Sequence, residues 1–315
     1  MKFSFFFMMA VVASCMAVNV HAASYTTYSV EEQQVMLQTN SFAVIGGYSP
    51  FGYSQFSLVA KIDTLGLNLS AAPTMTYPNG SLTFPVGVSN SPTWATSGGY
   101  NRYQYGDSRT TTALLDAAYG SGTYTFTMGN ATVQPTLPLN LASPSLPVAP
   151  MITSGGTWSN GVLLVDPSQT VTLNFNSFDT YTNGLGGKIN FILFLASAYP
   201  VTLGSSPQST YVPSLGVTNA ALTNFTITAG TLTNGQSYLV QANFTQIESI
   251  NTTNFTGTGI TGNPLGLSMY TSTTFINLQA IPEPSAMGLL LLVGIPVCLL
   301  MLTAKSRSRK TWRIW

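Results

Sequence analysis

Apolar side chains recur at every second position through most of this chain, and that period constrains the fold more than any other feature. Val171, Leu173 and Phe175 alternate with Thr172, Asn174 and Asn176. Phe225, Ile227 and Ala229 alternate with Thr226 and Thr228, and Tyr238, Val240, Ala242 and Phe244 alternate with Leu239, Gln241, Asn243 and Thr245. A period of two puts one face of a strand on a core and the other outward, and long stretches of helical period are missing. Ile189 to Leu195 is apolar at nearly every position and reads as a central strand. Gly and Asn clusters such as Asn183-Gly184 and Asn234-Gly235 separate the runs as turns. Thr111 to Tyr119 reads as a short helical turn.

Pro135, Pro138, Pro144, Pro147 and Pro150 crowd residues 134–150. Proline at that density excludes helix and central strand and predicts an extended connector. The expected fold class is therefore all-β, with two β-sandwich domains at residues 23–133 and 151–280 joined by the connector at 134–150. A signal peptide (1–22) and a C-terminal transmembrane helix flank them. Within the second domain, Leu232 precedes Tyr238 by six residues across an Asn-Gly turn. This spacing resembles the tyrosine corner of fibronectin type III and immunoglobulin-like domains, which implies a buried ring whose hydroxyl bonds the preceding turn backbone.

Composition removes several chemistries from the body between residues 23 and 281. Cys15, Cys298 and His21 all lie in the terminal segments. No disulfide can form within the body, and zinc sites or catalysis by Cys or His are excluded there by absence. The body carries four basic and eight acidic side chains, a net charge of −4. No basic patch exists for nucleic acid. No calcium loop, phosphate-binding glycine motif or nucleophile elbow occurs, so neither cofactor nor catalysis is expected. The rival expectation is a carbohydrate-binding module or a glycan-active hydrolase or lyase. Cleavage of a glycosidic bond needs two carboxylates about 5–10 Å apart, and Asp107 with Asp116, or Asp166 with Asp179, are the candidates. Tyr100, Arg102, Tyr103 and Tyr105 form a candidate glycan contact, since aromatic faces stack on sugar rings. The competing reading is that Tyr103 and Tyr105 share one strand face and pack.

The termini carry an address. Met1-Lys2 opens a brief positive region, Phe3 to Val18 is largely apolar, and Val20-His21-Ala22 supplies small residues for cleavage between Ala22 and Ala23. This is the pattern of a secretory signal peptide, whose partners are the secretion translocon and signal peptidase. Val12-Ala13-Ser14-Cys15 offers a competing lipoprotein box, in which Cys15 is acylated. At the other end, Pro282-Glu283-Pro284 precedes an uncharged run from Ala286 to Thr303 and a basic tail within residues 305–315, carrying Lys305, Arg307, Arg309 and Lys310. Eighteen residues suffice for a helix across a bilayer core of about 30 Å, and the basic flank stays cytoplasmic. The prolines hold the tripeptide extended outside that helix.

This three-part arrangement over residues 281–315 resembles the PEP-CTERM sorting signal of Gram-negative bacteria. The resemblance implies an exosortase-type processing enzyme as partner and removal of the tail. It also implies passage from an inner-membrane precursor to the cell envelope or exopolysaccharide matrix, where extracellular polysaccharide is the expected neighbour. Thr311-Trp312-Arg313-Ile314-Trp315 extends beyond the basic run at which such tails usually stop.

Overall fold

A computed structural model describes residues 24–46, 54–65, 72–84, 100–127, 134–198, 202–253 and 265–281. The expected signal peptide, the Pro282-Glu283-Pro284 motif and the 286–303 run lie outside the described residues. Strands β1 (Ser24–Asn40), β2 (Ala43–Gly46), β3 (Phe56–Leu65), β4 (Thr74–Tyr77), β5 (Gly80–Thr83) and β6 (Tyr100–Arg109) come first. The one α-helix among the described residues, α1 (Thr112–Tyr119), follows, then β7 (Gly122–Thr127) and β8 (Thr136–Leu139). The second half runs β9 (Ile152–Ser154), β10 (Thr157–Ser159), β11 (Val162–Val165), β12 (Val171–Phe175) and β13 (Gly187–Leu195). It continues with β14 (Thr202–Ser205), β15 (Ser209–Val212), β16 (Val217–Thr218), β17 (Asn224–Ile227), β18 (Ser237–Asn251) and β19 (Leu265–Ala280). The chain is predominantly β and sandwich-like, as the alternation predicts.

One large sheet runs β16-β15-β13-β18-β19-β1-β3-β6 and has the strands of two smaller sheets, β17-β12-β9 and β5-β4-β7-β8, beside it. Its centre joins the beginning of the body to its end: β1 pairs parallel with β19 from Thr27↔Leu265 to Gln38↔Ile276. Strand β1 is 17 residues long, roughly 55 Å at ~3.3 Å per residue. It pairs with β3 along its first part and with β2 along its last. The register requires close approach at Gly266, because a Cβ there would meet the Tyr28 ring at 2.1 Å.

Directly paired residues share a sheet face, so register shows where the cores sit. Tyr28 and Val30 of β1, Leu58, Ala60 and Ile62 of β3, Tyr103 of β6 and Tyr270 of β19 join Met75, Tyr124, Phe126 and Leu137 in one core. Ile189, Phe191 and Leu193 of β13, Tyr238 to Phe244 on alternate positions of β18, and Ile276 to Ala280 of β19 join Leu173, Phe175, Phe225 and Ile227 in another. Phe175 stacks on Phe191 at 4.1 Å between ring centroids, tying the small sheet to the large one. Both cores lie on the same face of the large sheet, each beneath its own small sheet.

The expectation of two separate sandwiches is corrected on this point, because the two cores share one sheet. Alternation reports which face a residue takes, but not which distant strand it pairs with. The connector is also more than a spacer. Within it, β8 pairs with β7, and Leu137, Leu139 and Leu141 are buried in the first core. Pro138 sits in this edge strand, where a missing backbone donor is tolerated. Beyond β8 the connector is pinned to the large sheet by side chains of β1 and β19. Gln34 Nε2 donates to the Pro147 carbonyl at 3.3 Å and to Ser272 Oγ at 2.7 Å, and Ser272 Oγ donates to the same carbonyl at 2.5 Å. Buried Gln38 donates from Nε2 to the Ile152 carbonyl at 2.8 Å and accepts the Ile152 amide at 2.7 Å.

Candidate functional site

The candidate contact residues lie on β6, which forms one end of the large sheet. Its register with β3 sets Tyr103 opposite Ile62, Tyr105 opposite Ala60, Asp107 opposite Leu58 and Arg109 opposite Phe56. These four therefore share the core-facing side of the sheet. Tyr103 is 4% exposed and belongs to the first core, so its ring offers no face to a sugar. The packing reading of Tyr103 replaces the contact reading, because β6 turns this row inward. Tyr100 and Arg102 occupy β6 positions opposite Leu65 and Asp63, and their side chains lie outside the described residues.

Tyr105 is half-buried and meets α1. The helix begins at Thr111, whose side chain accepts the Leu114 amide at 3.2 Å, and it buries Leu115 and Tyr119 against the core. The Tyr119 hydroxyl donates a hydrogen bond to the Asp107 carboxylate. It therefore accepts from Tyr105, whose hydroxyl lies 2.8 Å away. Asp107 also receives Arg109 through two nitrogens, Nη1 at 2.9 Å and Nη2 at 2.7 Å. A two-pronged guanidinium–carboxylate pair of this kind fixes orientation as well as charge. Tyr77 of β4 sets its ring edge-on to Tyr119 at 5.1 Å. Burial first, then the bonds to Asp107 and Tyr105, push the Tyr119 hydroxyl well above the usual tyrosine range. It stays protonated at any physiological pH and acts as a fixed donor. The cluster's hydrogen-bonding groups are thus engaged with one another, and their effect is to fasten α1 to β6. The Arg109 side chain, 41% exposed, is its outward part.

Three of the four candidate carboxylates have local partners of their own. Asp107 is held by Tyr119 and Arg109, while Asp116 of α1 accepts Ser121 Oγ at 2.6 Å. Asp166 accepts the Ser168 amide at 2.9 Å and its hydroxyl at 2.7 Å, closing the turn between β11 and β12. Among the described residues no group of three or more His, Cys, Asp or Glu side chains is placed to hold a metal ion. No described helix is long and apolar enough to cross a membrane.

Tyr238 stands where its spacing predicts. Its ring is 2% exposed and its hydroxyl accepts the Thr233 amide at 2.6 Å. Gly235, at φ +78°, supplies the left-handed residue of the intervening turn.

Glu32 was not singled out by its sequence context, yet it is fully buried with both carboxylate oxygens lacking a hydrogen-bond partner. A signal for it exists in the adjacent pair Glu31-Glu32. Neighbouring residues of a strand face opposite sides, so a strand covered on both sides must bury one acid in each. Glu31 meets Lys61 at 3.7 Å on one face. Glu32 enters the first core on the other, opposite Leu58 and Tyr270.

No family model matches the chain, and no curated protein matches it. Among solved structures, it is similar to a biofilm-associated protein (BSP domain) at 14% identity and a TM-score of 0.20, covering 72% of this chain and 28% of that one. It is also similar to a Salmonella alpha-2-macroglobulin mutant at 9% identity and a TM-score of 0.22, covering 80% of this chain and 15% of that one. The chain thus spans less than a third of either structure's length.

Proposed function

We propose that this chain is an exported, non-catalytic β-protein, sorted to the cell envelope or exopolysaccharide matrix by its C-terminal tail, with a structural or adhesive role there. The observation that carries this reading is the order of three features: Pro282-Glu283-Pro284, the uncharged run at 286–303, and the basic tail. A run of that length suffices to cross a bilayer, a basic end fixes the cytoplasmic side, and proline disfavours regular helix in the stretch to be cleaved. The signal-peptide pattern at residues 1–22 supplies the matching route of export. In this reading an exosortase-type enzyme recognises the tripeptide, and matrix polysaccharide surrounds the mature protein.

Replacing Pro282, Glu283 and Pro284 together with Ala in the native host tests it. Cell fractionation then finds the variant accumulating in the inner membrane, while the unaltered chain reaches the envelope or matrix. Equal distribution of the two chains contradicts the reading.

A further inference from the structure

We propose that Glu32 makes the first core an alkali-sensitive latch, closed while its carboxyl carries a proton and loosened when the proton leaves. Glu32 is fully buried, and neither oxygen finds a hydrogen bond. A carboxylate in that position has given up water and received nothing in return, whereas a neutral carboxyl bears a far smaller penalty. No cation among the described side chains answers it. Lys61 lies on the opposite sheet face beside Glu31, and Arg109 is committed to Asp107.

Among the groups near Glu32, one acid reinforces the neutral form and none opposes it. From α1 comes Asp116, a like charge; from β7, Tyr124; from β19, Tyr270. From β3 it meets only the apolar Leu58, beyond which lies Asp107 of β6. Glu248 of β18 acts on Tyr270 and adds negative charge to this side. Tyr270 and Tyr124 are occupied elsewhere, donating to the Asn140 and Gly120 carbonyls. Burial first, and Asp116 second, raise the Glu32 carboxyl to about 8.

The direction of the effect follows from proton counting. An unfolded chain releases the Glu32 proton near pH 4.5. Between there and about pH 8 the folded state holds a proton that the unfolded state has lost, so stability falls as pH rises. The contribution is complete below the lower value and lost as pH passes through the upper one. The elements that cover Glu32 feel the loss: α1 and the β5-β4-β7-β8 sheet.

The test compares the full chain in detergent micelles with Glu32→Gln, which keeps the shape and removes the titration. Thermal melts from pH 5 to 9 show wild type losing Tm relative to the variant as pH rises. Lys188, on the other face and lowered by burial, contributes equally to both and cancels. At the alkaline end, hydrogen exchange in wild type exceeds that in the variant within α1 and β7, but not within β12 and β17. On wild type alone, the infrared carbonyl band of a protonated carboxyl is present at pH 6 and disappears above pH 9. Parallel melting curves, an exchange difference spread over both cores, or absence of the infrared band at pH 6 each overturn the latch.

Discussion

Tyr238 and Glu32 are two buried side chains on the same face of one sheet, and their opposite fates show what a core tolerates. The Tyr238 hydroxyl takes the Thr233 amide, while Glu32 has no partner and keeps its proton instead. Losing the tyrosine hydroxyl is therefore a measurable but modest change. Thr233 is exposed, so its freed amide finds water. Tyr238→Phe is expected to cost about 0.5–1.5 kcal/mol, the net value of one hydrogen bond, rather than the larger penalty of a buried orphan. Denaturant unfolding with an unchanged m-value measures it. An unaltered midpoint would show that the bond contributes nothing.

At the scale of elements, the strands of the second half were legible because their outward positions are polar. β12 and β17 alternate buried with exposed residues, and β13 is buried or half-buried throughout, as its nearly continuous apolar run requires. The first half was less legible for a physical reason. β1 is covered on both faces, so Ser29, Glu31, Glu32 and Gln38 are all buried, and polarity no longer marks the outside. The Pro-rich connector hid β8 and the buried Leu137, Leu139 and Leu141, because proline density signals extension but cannot tell a linker from an edge strand. The candidate site on β6 was legible as a row of aromatics, but its inward direction was set by pairing with β3, which no local pattern reports. The link between β9, just past the connector, and the large sheet predicts a larger effect than that of Tyr238. Gln38→Leu leaves both the amide and the carbonyl of buried Ile152 without partners. Each such orphan costs about 1–3 kcal/mol, so the variant is expected to lose roughly 2–6 kcal/mol in denaturant unfolding. A loss below that of Tyr238→Phe would mean β9 is not held by this side chain.

For the whole molecule, the parallel pairing of β1 with β19 closes the body upon itself. Ser24 begins the first strand and Ala280 ends the last. The large sheet therefore spans the stretch between the expected signal-peptide cleavage at Ala22-Ala23 and the tripeptide at 282–284. Cuts at those two places would remove flanking segments without removing any of these nineteen strands. That economy suits a protein delivered by processing at both ends, and the sequence of tripeptide, uncharged run and basic end makes such processing the central claim. Mass spectrometry of the protein recovered from the surface or matrix of its native host tests this most directly. The account predicts a mature chain beginning at Ala23 and lacking every peptide from residues 305–315. A surface-recovered chain that still carries Lys305 to Trp315 would contradict it and show the tail to be an anchor alone.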